Sequence, residues 1–215
     1  MRQDKTNVII IASVLAFMVL LVGVVIALSP GFGKAPQVSS SQDQDIDSHH
    51  QTVPPDQSIF NSLLGKKAPN FVLESYDGKI IELQKLRGKK VVLFFTEGIM
   101  CYPACWNQMA AFGEDQALNS PDVLTFSIAV DNKNDWGQAV KQMPELSKAA
   151  VLFDTDRTVS QKYGALTLPS SMHKGQYPGH TYIIIDREGI IKFTYDDPQM
   201  GVRNDELKGE LGKIK

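Results

Sequence analysis

The sequence predicts an α/β fold: a mixed central sheet flanked by helices, preceded by one N-terminal transmembrane helix. Three observations carry that reading. Residues 8–28 form one long apolar run. Residues 91–95, Val-Val-Leu-Phe-Phe, form a shorter one, of the kind a strand shows when its sheet is covered on both faces. Beyond it, strand-like and helix-like segments alternate, which places helices on both sides of a sheet, and a closing hairpin mixes the strand directions.

In the first run only Ser13 is polar. At about 1.5 Å per residue such a helix matches a hydrocarbon layer of roughly 30 Å. The apolar part of a cleaved signal peptide spans about 7–15 residues and ends at a small-residue cleavage site. Here the run is longer and Ser29-Pro30 follows it, so an uncleaved anchor is expected. Arg2 and Lys5 precede the run; after it Lys34 stands alone before Lys66, among Asp43, Asp45, Asp47 and Asp56. Basic flanks stay cytoplasmic. Residues 1–7 are therefore expected inside, and everything after the anchor outside the cell membrane, where disulfides persist. Residues 29–58 are rich in Ser, Gln, Asp and Pro and lack apolar periodicity. Such a stretch buries too little surface to offset chain entropy and reads as a flexible linker. Its His49 and His50 read as solvated.

The remaining domain, residues 59–215, reads as follows. Residues 71–73 and 80–83 flank a Tyr76-Asp77-Gly78 turn and form a hairpin. After the strand at 91–95, residues 103–116 form a helix with Pro103 near its first turn. Residues 123–130 form a second central strand, 134–143 a helix, 151–153 a short strand and 156–163 a helix. Residues 181–185 and 190–194 pair across the Asp186–Gly189 turn, and 205–211 form a last helix.

A net charge of -2 gives no concentrated basic surface, so no nucleic acid is expected as a partner. Rossmann and P-loop glycine signatures are absent. The two cysteines are too few for a disulfide scaffold or for an ordinary zinc site. A redox pair, a soft-metal clamp and a small structural disulfide remain. Cys101 and Cys105 follow the apolar strand and open a helix, whose N-terminus carries free amide donors and partial positive charge. That setting stabilises a thiolate, the form that attacks disulfides and binds soft metals. One helical turn separates the two alpha carbons by about 6 Å, within disulfide range.

Three stretches resemble the AhpC/TSA redoxin group of the thioredoxin superfamily: Gly65-Lys66-Lys67-Ala68-Pro69-Asn70-Phe71-Val72-Leu73, Leu86-Arg87-Gly88-Lys89-Lys90-Val91-Val92-Leu93-Phe94-Phe95, and Ile185-Asp186-Arg187-Glu188-Gly189. The resemblance implies a thioredoxin-like fold. Peroxiredoxins in the group carry Thr or Ser three residues before the reactive cysteine; here Gly98 precedes Cys101 and Tyr102 precedes Cys105. SCO-type copper proteins space their cysteines as here and carry a distant His before Thr or Ser, as in His180-Thr181.

In such a fold the loop before residues 181–185 faces the cysteines. His180 could then serve Cys101 as a proton shuttle or act as a third metal ligand. Met172, His173 and Met100 lie in neighbouring sequence; they read as packing or loop residues, Tyr102 and Trp106 as apolar walls, and Glu97 as a solvated carboxylate. The expected function is a membrane-anchored extracytoplasmic thiol–disulfide oxidoreductase. Cys101 attacks, Cys105 resolves, a redox partner protein is the substrate, and no cofactor is needed. A peroxide-reducing variant uses the same pair through a sulfenic acid. The alternative is copper binding or delivery by Cys101, Cys105 and His180. The expectation requires the two sulfurs to be within reach of solvent.

Overall fold

The computed structural model describes residues 53–214. The expected anchor at 8–28, with His49, His50 and most of the linker, lies outside the described residues. Among those described, no helix is long and apolar enough to cross a membrane.

The chain runs α1 (Ser58–Asn61), β1 (Val72–Ser75), β2 (Ile80–Glu82), β3 (Lys90–Thr96), α2 (Ala104–Glu114), β4 (Val123–Ala129), α3 (Lys133–Gln142), β5 (Val151–Phe153), α4 (Thr158–Lys162), β6 (Thr181–Ile185), β7 (Ile191–Asp196) and α5 (Asn204–Lys213). Seven strands form one sheet in the order β2-β1-β5-β4-β3-β6-β7. β3, β4 and β5 are parallel neighbours, and every other pairing is antiparallel. The mixed sheet is therefore present, with β3 inside it between the central strand β4 and β6.

Strand side chains alternate between faces, so β3 feeds two cores. Val92 and Phe94 pack with Trp106 and Phe112 of α2, Trp136 of α3 and Leu207 and Leu211 of α5. Val91, Leu93 and Phe95 pack on the other side with Phe60 of α1 and Val159 of α4. Burial on both faces is why this strand reads as unbroken apolar sequence.

Local chemistry trims several expected boundaries. The helix expected at 156–163 begins at Thr158. Arg157 is left-handed (φ 64°), and the buried Asp154 carboxylate accepts the amides of Val159 and Ser160 at 3.0 and 2.7 Å. Pro103 caps α2 instead of joining its first turn, and its bond to Tyr102 is cis. β7 runs two residues further than expected, and α1 begins at the last residue assigned to the linker.

Candidate active site

The site forms where β3 gives way to α2. After Thr96 the chain makes a 3-10 turn, Gly98–Met100, and then Cys101, Tyr102 and Pro103 lead into α2. Asp131, just past β4, accepts the Ile99 amide at 3.1 Å, and the Trp106 indole donates to the Gly98 carbonyl at 3.2 Å. Gly98 is required at its position. Its φ is +61°, and a Cβ there would fall 1.7 Å from Asp131 Oδ2. The Thr or Ser found before peroxiredoxin cysteines does not fit at this point of the backbone.

Cys101 and Cys105 form a disulfide with alpha carbons 5.4 Å apart, and the Cys105 amide donates to the Cys101 carbonyl at 3.0 Å. Contrary to the expectation of solvent reach, Cys101 is only 3% exposed and Cys105 fully covered. Part of the cover is Met200, from the loop after β7, whose Sδ lies 3.9 Å from Cys101 Sγ. Met200→Ala is accordingly expected to speed reduction of the disulfide by a small dithiol several-fold. An unchanged rate would show that Met200 is no barrier.

His180 is buried at the head of β6, which pairs antiparallel to β3. Its Nδ1 lies 3.5 Å from Cys105 Sγ, and its ring meets that of Phe94 edge-on at 4.6 Å. Its Nε2 lies 2.7 Å from the Tyr182 hydroxyl and 3.1 Å from the Gly201 carbonyl. The hydrogen positions follow from the partners. The Arg203 amide, which can only donate, meets Gln108 Oε1 at 2.7 Å, so that atom is an acceptor. The Tyr182 hydroxyl donates to the same oxygen at 2.8 Å. The Gly201 carbonyl can only accept. The ring proton therefore sits on Nε2, and Nδ1 presents its lone pair to Cys105.

Burial holds the His180 ring neutral, its pKa lowered from 6.5 to about 4. An unfolded chain binds this proton first as pH falls, so the native state loses stability between pH 6.5 and about 4, by about 3 kcal/mol. Asp131 acts oppositely. Burial raises its pKa from 3.8 to about 6, so stability is lost as pH rises through that window. Asp131→Asn keeps an acceptor for Ile99 without the charge. It is expected to raise the urea midpoint at pH 7 and to unmask a steeper loss below pH 6.5. A lower midpoint at pH 7 would refute the assignment.

Glu97 corrects another expectation. It is buried and accepts the Met172 amide at 2.5 Å, the His173 amide at 3.1 Å and His173 Nδ1 at 3.1 Å. Its carboxylate thus ties the loop leading to His180 against the cysteine turn. His173 is engaged there, and Met100 and Met172 are exposed. Tyr102 is also exposed and meets Trp106 edge-on at 5.0 Å.

Among the described residues, Cys101, Cys105 and His180 form the group able to hold a metal ion, with ligand atoms within 4.8 Å of one another. In the disulfide form the sulfurs are bonded to each other; reduction would free two sulfur ligands beside the imidazole, a donor set suited to a soft ion. Sequence reasoning missed Tyr182, Gln108, Met200, Asp197 and Arg203. Two of these had a signal. Tyr182 lies two positions after His180 on a strand and Gln108 one turn after Cys105 on a helix, so each shares a face with its neighbour.

Residues 64–194 match the AhpC/TSA family. The Coxiella burnetii protein named peroxiredoxin bcp is 30% identical over 151 residues, covering 69% of this chain and 97% of its own length. The thiol-disulfide oxidoreductase ResA of Bacillus thuringiensis is 30% identical over 160 residues, 70% of this chain and 78% of its own. The reduced 2-Cys peroxiredoxin of Plasmodium vivax shares the fold, with a TM-score of 0.59 at 22% identity over 70% of this chain and 95% of that one. With its thioredoxin-like mixed sheet and its cysteine pair in the disulfide state, the chain is a redoxin and belongs to the AhpC/TSA family.

Proposed function

We propose that the chain is a thiol–disulfide oxidoreductase, held by residues 8–28 at the outer side of the cell membrane and acting on a partner protein. The observation that carries this reading is the bare Nδ1 of His180 aimed at Cys105, beside a closed Cys101–Cys105 bond. In the reduced protein Cys101, the less covered sulfur, attacks the partner's disulfide and releases one partner thiolate. Cys105 then gives its proton to His180, attacks Cys101, and releases the second thiolate. Two electrons pass to the partner and the internal disulfide closes. The name of the ResA relative, a thiol-disulfide oxidoreductase, supports this class of reaction. The steric exclusion of a side chain at Gly98 sets this site apart from the usual peroxiredoxin pattern.

The full chain in detergent, given a protein disulfide substrate and a dithiol, tests this: turnover should vanish in Cys101→Ser. A Cys101→Ser protein with wild-type turnover would end the reading. Protease applied to sealed cells should reach the domain; protection of the domain would reverse the orientation.

Copper binding is the second reading, favoured by the three clustered ligand atoms. Added to the reduced full chain, copper would then give thiolate-to-copper absorption that is lost in His180→Ala. Absence of that absorption removes this reading.

A further inference from the structure

We infer that the loop between β7 and α5, locked by the Asp197–Arg203 pair, is the positioning element that makes His180 a base for Cys105 and not for Cys101. This rests on the oxidoreductase reading and adds the residues that set the direction of proton transfer.

Asp197 is fully buried. Its carboxylate accepts Arg203 Nε at 2.8 Å and a second guanidinium nitrogen at 3.0 Å, the Gly201 amide at 3.0 Å and the Gln199 amide at 3.1 Å. Its own amide donates to the His180 carbonyl at 2.9 Å, which clamps the loop to the head of β6. Burial opposes the Asp197 charge, but the guanidinium and the amides outweigh it and hold the carboxyl below its ordinary range. The loop so closed aims three groups at the site. The Gly201 carbonyl faces His180 Nε2, the Arg203 amide fixes Gln108 for Tyr182, and Met200 Sδ rests against Cys101. Met200 holds φ +52° to do so, a conformation a side chain adopts only where its surroundings enforce it.

Two acceptor-side contacts on Nε2 keep the ring proton there. In the resolving step the Cys105 S–H bond breaks and its proton goes to Nδ1. The Cys105–Cys101 bond forms as the bond from Cys101 to the partner breaks, and the partner sulfur leaves as thiolate, later taking up a proton. The partner is reduced by two electrons and the pair is oxidised. A thiolate 3.5 Å from the ring favours the imidazolium, so the low proton affinity of His180 in the disulfide form does not bar the transfer.

The experiment uses the full chain in detergent with two readouts. In the oxidised chain labelled with nitrogen-15 histidine, and assigned by His180→Gln, the signal of a bare Nδ1 and a protonated Nε2 is expected. A protonated Nδ1 overturns the inference. In rapid mixing of the reduced chain with excess aromatic disulfide, the first coloured thiolate reports attack by Cys101 and the second reports resolution by Cys105. Asp197→Asn should slow the second release roughly ten- to a hundredfold, a share of what a positioned base contributes, and leave the first nearly unchanged. Arg203→Lys, which keeps the charge but loses the fork, should fall between and serves if Asp197→Asn does not fold. Equal second phases in the variants and the parent overturn the inference. No first release in the parent would instead remove the oxidoreductase reading, leaving the histidine spectrum to decide the loop's role separately.

Discussion

Cys105→Ser is expected to arrest the protein as a mixed disulfide on Cys101, whereas Cys101→Ser yields no adduct. The asymmetry comes from geometry. Cys101 keeps the small exposed area of the pair, while Cys105 is sealed in α2 with His180 against it. A substrate sulfur can approach only the first, and only the second has a base in contact. Each substitution should lower turnover by roughly a thousandfold or more, since neither half of the exchange has a substitute nucleophile among the described residues. Intact-mass measurement after mixing with a disulfide substrate reads the outcome. An adduct on Cys105 in the Cys101→Ser protein would reverse the two roles. Stability responds far less. Closing so short a loop removes chain entropy worth only about 2 kcal/mol, so both variants should fold.

Glu97→Ala is expected to be among the most destabilising single changes near the site. It strips the acceptor from the Met172 and His173 amides and the hydrogen-bond partner from the His173 ring. Leaving a buried donor unpaired costs about 1–3 kcal/mol, so a loss of about 3 kcal/mol or more is expected, together with release of the loop before His180. Glu97→Gln keeps one acceptor oxygen and should lose about half as much. Urea denaturation with a fixed slope reads both. A loss below about 1 kcal/mol for Glu97→Ala would show that water replaces the carboxylate without cost.

The parts of the molecule legible in the sequence are those governed by periodicity. β3 and β6 read as apolar runs because both their faces are buried, and β5 was placed to the residue. The cysteine turn was legible because a strand, a glycine and two cysteines stand in immediate succession. Glu97 was not. A lone carboxylate beside an apolar strand carries no mark of whether loop amides 75 and 76 residues away will close over it. Asp197, Met200 and Arg203 were illegible for a related reason. Loop residues have no period, and their roles arise from a fold that returns the chain to α2 after seven strands.

The pairing of β3 with β6 separates two events in time. The cysteines are four residues apart, so their bond can close in a chain with no tertiary structure. Cys105 and His180 are 75 residues apart, and Cys101 and Met200 are 99 apart. Those encounters wait on the slow, long-range step of topology formation. During biogenesis an oxidised pair therefore says nothing about whether the domain has folded. A nascent chain halted before β6 would carry both sulfurs but no imidazole to assist their exchange.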